Sequence, residues 1–224
     1  MNFLTRSPLF LLMNGDFKGF LLSLLYLLPA LVIAISFHEA AHAWMANRMG
    51  DPTAKNMGRI TLDPTKHFTL WGIVMMVLIG FGFGKSVPTN PRNYYNYKKG
   101  NILVAIAGVT TNLILSFIFY GIYVLIFAVL KVNSEPLFYI IFNVVLVNIV
   151  LCFFNLIPIS PLDGHHLIKG FIARRSPDFY LAYQRYGFFV LMAILAFTDY
   201  VQIVLGFLTS QVLNLYALFY GLFV

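Results

Sequence analysis

Apolar residues run along this chain in long blocks, separated by short polar stretches. From Phe20 to Phe37 there is no formal charge, and only Ser23, Pro29 and Ser36 interrupt the apolar character. Bilayer hydrocarbon is about 30 Å thick, so a helix rising 1.5 Å per residue needs about 20 residues to cross it. The block therefore predicts a crossing helix that runs on to Asn47-Arg48 and ends at Gly50-Asp51-Pro52. Pro29 lies inside it, which a membrane helix tolerates when neighbours satisfy the freed carbonyl. Ile102 to Leu130 predicts a second long helix, and Leu137 to Pro158 a third, opened by Ser134-Glu135-Pro136. Leu9 to Met13 is too short to span and reads as an interfacial segment.

The intervening stretches are less regular. Residues 51–67 are polar, and the alternation Arg59-Ile60-Thr61-Leu62 predicts a short extended piece before a turn at Asp63-Pro64. Leu70 to Phe83 is apolar but only about two-thirds of a span, and it runs into Gly80-Phe81-Gly82-Phe83-Gly84. A re-entrant segment fits it better than a crossing. The G-x-G-x-G spelling lacks both the spacing and the βαβ setting of a nucleotide loop. At the carboxyl end, one span over Gly187–Leu208 would bury Asp199 near its middle, an expensive place for a carboxylate. A turn at Thr198-Asp199, followed by a further helix over 201–224, is the preferred reading. The fold class is thus an all-α polytopic membrane protein of five to six transmembrane helices. It carries a re-entrant glycine-rich segment and short extended pieces, forming one membrane-embedded domain over 1–224. Residues 20–170 would be its core and 180–224 its C-terminal helices.

Composition agrees with that class. Charged residues make up 10% and hydrophobic ones 60%, whereas soluble domains carry about 25% charged residues. No linker, repeat or low-complexity tract divides the chain, and Asn14-Gly15-Asp16 offers no signal-peptide cleavage site. The formal net charge of +7 does not imply nucleic acid, because Lys and Arg mark the cytoplasmic loops of membrane proteins. The basic residues cluster in 48–66, 85–99 and 169–185. If 70–84 is re-entrant, all three clusters fall on one side, the cytoplasmic one. Cys152 is the only cysteine, so no intrachain disulfide and no thiolate metal cluster can form.

Chemistry concentrates in Phe37-His38-Glu39-Ala40-Ala41-His42, an H-E-x-x-H pattern on the last turns of the first long helix. Residues at i and i+4 share a helix face, so His38 and His42 can hold one zinc between them. Glu39 projects at another angle and reaches a water on the metal rather than the metal itself. A catalytic zinc takes three protein ligands and keeps one position open. Asp163 is the preferred third ligand: it follows Asn155-Leu156-Ile157-Pro158-Ile159-Ser160-Pro161-Leu162, where two prolines break a span on the same side as the histidines. His165 and His166 compete with it, while His67 either supports the site or sits at the interface. The rival to hydrolysis is a non-proteolytic metal-binding membrane protein, either a transporter or an inactive relative that binds client helices.

These motifs resemble the site-2 protease family of intramembrane zinc metalloproteases, in its short form without a PDZ domain. The likeness rests on His38-Glu39-Ala40-Ala41-His42, Leu162-Asp163-Gly164, Gly58-Arg59-Ile60-Thr61-Leu62-Asp63-Pro64 and Gly82-Phe83-Gly84 before Val87-Pro88. It spans about residues 30–170. The resemblance implies one catalytic zinc held by His38, His42 and Asp163, with Glu39 as base. It also implies a transmembrane protein substrate and residence in the plasma membrane of a prokaryote, and the charge clusters put the site toward the cytoplasm. The family's Ala-Gly-Pro-x-x-Asn motif reads Ala107-Gly108-Val109-Thr110-Thr111-Asn112 here. The proline is missing, but Asn112 remains, either to contact a substrate carbonyl or its oxyanion or to serve as polar glue between helices.

Overall fold

A computed structural model describes residues 8–69, 72 and 84–223. α1 (Pro8–Met13) leads into α2 (Phe17–Arg48), whose first turn is capped by Asp16 accepting from the Gly19 amide at 2.8 Å. Two single turns follow, α3 (Thr53–Asn56) and α4 (Pro64–His67). α5 (Tyr97–Val124) begins at Asn96, which accepts from the Lys99 amide, and it widens into a π turn over Leu125–Val129. α6 (Glu135–Asn155) carries Pro136 in its first turn, where the missing N–H costs nothing. α7 (Gly164–Arg175), α8 (Pro177–Phe197) and α9 (Tyr200–Gly221) complete the chain.

Among the described residues, five helices are long and apolar enough to cross a membrane: α2, α5 with its π turn, α6, α8 and α9. The chain is an all-α polytopic membrane protein. The C-terminal region divides at Thr198-Asp199, with Asp199 exposed between two helices rather than buried within one. The predicted extended piece takes another form. Residues 53–56 make one helical turn, and 59–63 run on without regular hydrogen bonding. The predicted re-entrant segment lies almost entirely outside the described residues.

α2, α5 and α6 form the centre. Water does not drive helices together in lipid, so close approach of small residues and van der Waals contact must do it. Ala30, Ala34, Ala43 and Ala46 of α2 are accordingly fully buried. Leu31 and Ile35 pack on Val147 and Leu151 of α6. α9 covers α5 and α6 through Tyr216, which meets Val145, Ile149 and Phe117, and whose hydroxyl lies 2.9 Å from Ser116 Oγ. α8 reaches the centre through Leu191, packed on Phe154 and Leu162. Outward side chains such as Leu25, Ile118, Phe189 and Leu218 are exposed and apolar, as lipid-facing positions should be.

Both ends of the loop between α2 and α5 lie at the same end of the bundle. The Tyr95 amide donates to the Met49 carbonyl at 2.8 Å. Gly50 sits there at φ +106°, and a Cβ on it would stand 2.8 Å from the Asn93 carbonyl oxygen. Only glycine fits. Asp51, wholly buried, ties the crossing: it accepts from the Thr53 amide, the Asn90 amide at 2.6 Å and the Asn93 side chain at 2.9 Å.

Candidate metal centre

His38 and His42 lie on the inward face of α2, one turn apart, with relative exposures of 6% and 7%. Asp163 reaches them from 121 residues further along the chain. It stands at the head of α7, where the Pro158–Pro161 turn delivers the chain from α6. That turn is wedged in place. A Cβ on Gly164 would sit 2.4 Å from the Leu156 carbonyl oxygen, and one on Gly187 would sit 2.7 Å from that of Ser160.

The three side chains converge. His42 Nε2 lies 3.0 Å from His38 Nε2, and both nitrogens lie 3.1 Å from Asp163 Oδ2. Tetrahedral zinc with ligands at about 2.0–2.1 Å separates them by about 3.3–3.4 Å, so two nitrogens and a carboxylate oxygen at these spacings fit such an ion. Among the described residues this is the group of His, Cys, Asp and Glu side chains that could hold a metal. His165, His166 and His67 are not part of it.

Two features hold the histidines ready. His42 Nδ1 bonds the Val104 carbonyl at 2.7 Å, which leaves Nε2 as the free lone pair directed at the cluster. Gly108, one turn further along α5, lets both rings lie against the helix backbone. A Cβ there would come within 2.5 Å of His38 Cε1 and of His42 Nε2. At Asp163, burial pushes the carboxyl up, but the facing His42 and His38 overrule it and hold it below the usual carboxylate range.

Glu39 stands outside that group. Its Oε2 accepts from the Val87 amide at 3.0 Å. A cavity of about 130 Å³ lies beside it, walled by Glu39, His42, Asp163, His166, Ser86 and Asn101 among others. That volume admits several waters but not a helix about 10–12 Å across. His166 shares this cavity, whereas His165 is turned toward α8, with Nε2 3.0 Å from the Tyr180 hydroxyl. Burial, helped by His166 and Lys169, pushes the His165 ring down to about 4, so it is neutral near pH 7. His67 is fully buried and bonds the Thr61 carbonyl at 2.7 Å, away from the cluster. Asn112 is also fully buried, one turn beyond Gly108, with neither amide atom bonded, and it does not line the cavity.

The model of peptidase family M50 matches residues 26–134 and 128–197, a stretch that contains the whole cluster. The chain belongs to peptidase family M50. A relative in Bacillus subtilis (strain 168), named "Putative zinc metalloprotease YwhC", is 36% identical over 173 residues, covering 75% of this chain and 79% of that one. No solved structure matches. M50 membership and the buried His-His-Asp group together make this chain a zinc-dependent intramembrane protease.

Several parts of this M50 site have no sequence signature. The Val104 carbonyl is invisible because any residue supplies one. Gly108 stands out in sequence only as part of a motif, and its contact with both rings depends on how α2 and α5 cross. The Val87 amide that holds Glu39 is likewise a backbone group, 48 residues away along the chain.

Proposed function

We propose that this protein hydrolyses a peptide bond in or near a transmembrane helix of another membrane protein. A single zinc would be held by His38, His42 and Asp163, with Glu39 as general base. The observation that carries the reading is the division of labour among neighbours on α2. Two ring nitrogens and one carboxylate oxygen converge within 3.1 Å, while Glu39 stands outside the group and accepts from the Val87 amide. A transport site would be expected to recruit Glu39 as a further ligand. A hydrolase needs it free.

Bound zinc would supply Lewis-acid polarisation of the scissile carbonyl and acidify water at the site. The remaining steps belong to the chain. The cavity holds the attacking water, and Glu39 takes its proton and returns one to the leaving amine. Asn112 is retained as the contact for a substrate carbonyl or its oxyanion. An enclosed amide with no partner carries a desolvation penalty, and a bond made only when substrate arrives would relieve it.

A helix conceals its carbonyls in i→i−4 bonds, so the substrate must unwind into an extended form. Residues 59–62 are our choice for the edge that receives it, ahead of 85–88, because the Val87 amide is already committed to Glu39. Ile60 and Leu62 also line an open apolar groove with Phe37, Ala41 and Trp44, a surface suited to an apolar chain. Thr61→Pro should abolish cleavage of a transmembrane substrate and leave zinc content intact. Full activity in that variant removes the edge from the scheme.

The decisive experiment is Glu39→Gln in the purified protein. Zinc should stay at one per chain, while turnover of a transmembrane substrate falls by about 10²–10⁴-fold, the usual contribution of a positioned base. Equal turnover in the variant and the parent would sink the reading. The proposal extends to placement: one domain over 1–224, in the plasma membrane of a prokaryote, with the cluster toward the cytoplasm.

A further inference from the structure

Arg59 is 4% exposed, and among the described residues no ion pair joins it to a carboxylate. A buried cation without a counter-ion is costly, so its partners carry information. Its Nη2 donates to the Lys85 carbonyl and, at 3.3 Å, to the Ser86 carbonyl. The Ser86 carbonyl belongs to the same peptide unit as the Val87 amide, which donates to Glu39 Oε2 at 3.0 Å. In a trans peptide the C=O and N–H point in opposite directions. One rigid plane therefore has a guanidinium on one side and the Glu39 carboxylate on the other.

We propose that Arg59 is a positioning residue for Glu39, acting through the Ser86–Val87 peptide. This rests on the reading of Glu39 as the base. The guanidinium fixes the tilt of the plane and polarises it, since hydrogen bonds in series strengthen one another. The Val87 N–H then anchors one carboxylate oxygen and leaves Oε1 for the reacting water. A glutamate side chain has three rotatable bonds, and a misplacement of about 1 Å costs about 10²-fold in rate.

The local fold presents Arg59 for this task. Asp51, just ahead of α3, accepts from the Thr53 amide and hydroxyl. Gly58 then turns the chain at φ +65°, and the Arg59 amide bonds back to the Ala54 carbonyl at 2.9 Å. The segment that Arg59 grips is held from both ends. His67, whose ring bonds the Thr61 carbonyl, accepts from the Lys85 amide at 2.7 Å, and Asp51 accepts from the Asn90 amide. Little slack remains between them. Removing Arg59 frees the peptide unit that bonds Glu39 and leaves the metal-ligand cluster untouched.

The test uses the full-length, zinc-loaded protein and a fluorogenic peptide carrying a transmembrane segment that the parent cleaves. Arg59→Ala should keep one zinc per chain and lower kcat by about 10- to 100-fold with KM within about threefold. Amide exchange over 84–90 should speed up about tenfold or more while α2 is unchanged. Arg59→Lys should recover part of kcat, since an ammonium can reach a carbonyl but lacks the fork. In a Glu39→Gln background, Arg59→Ala should change the residual rate by less than about twofold, as expected for two groups acting in one unit. Unchanged kcat in Arg59→Ala overturns the proposal, as does loss of zinc or faster exchange throughout the chain. If Arg59→Ala does not fold, Arg59→Lys decides: a lowered kcat with intact zinc and locally faster exchange over 84–90 supports the role, and parental behaviour overturns it. A fully active Glu39→Gln variant sinks the base assignment separately, because exchange over 84–90 still reports whether Arg59 holds that segment.

Discussion

Gly108 has no side chain, yet the metal-ligand geometry depends on it. Both imidazoles occupy the space where its Cβ would be, at 2.5 Å, so the atoms that would have to yield are those of the two rings themselves. Gly108→Ala must therefore push α5 away from α2 or rotate the rings off the point they share with Asp163. We expect zinc affinity to fall about 10- to 100-fold, the scale for disturbing the support of a metal ligand, while helix content by circular dichroism is unchanged. Parental affinity in a competitive zinc titration would show that the close packing is dispensable. The H-E-x-x-H spelling makes the imidazoles easy to read, because period 3.6 alone puts His38 and His42 on one face. What makes them usable as a pair is a carbonyl and a missing methyl on another helix, and neither can be read without knowing the crossing of α2 and α5.

At the scale of elements, the segment from 84 to 96 matters more than its lack of regular structure implies. Asp51 anchors it, receiving bonds from Thr53, Asn90 and Asn93. Burial pushes the Asp51 carboxyl up, but those donors outweigh it and hold it below the usual carboxylate range. A carboxyl whose folded value is depressed stabilises the fold above its unfolded value of about 3.9 and loses that contribution as pH falls through the folded value. Asp51→Asn should cost about 2 kcal/mol by leaving buried donors badly paired. The gap in thermal midpoint from the parent should then stay constant from about pH 8 to 5 and close only below about pH 4. A gap that narrows near neutral pH would point to another titrating group. Sequence reading took Gly50-Asp51-Pro52 as the end of a helix, which it is. The second role of Asp51, across 39 residues to Asn90, had no local signal. The long helices were legible because a span of about 20 apolar residues has few alternatives. Arg59-Ile60-Thr61-Leu62 was not, since four alternating residues in a polar loop adopt whatever their tertiary partners impose.

For the whole molecule, charge and topology make one joint statement. The bond from the Tyr95 amide to the Met49 carbonyl places the end of α2 and the start of α5 at one end of the bundle. α6 returns the chain to that end, since Asp163, just beyond it, meets His38 and His42. Lys55, Lys66, Arg92, Lys98, Lys99 and Arg175 all lie exposed around this end. The opposite end holds Lys18 and Lys131, balanced by Asp16 and Glu135. An excess of Lys and Arg in short loops is retained in the cytoplasm, so the cluster should open to that side. α9 runs in the same direction as α5, with Tyr216 against Ser116 and Tyr220 on the Phe117 carbonyl, so it leads away from the cluster end and finishes on the outer side. Single cysteines in a Cys152→Ala background test this in intact cells. Lys55→Cys, Lys98→Cys and Arg175→Cys should resist a membrane-impermeant maleimide until the cells are opened, whereas Lys131→Cys should react at once. Labelling of Lys98→Cys together with Lys131→Cys from outside would mean that α5 does not cross. Reversal of the whole pattern would keep the fold and move the chemistry to the other face of the membrane.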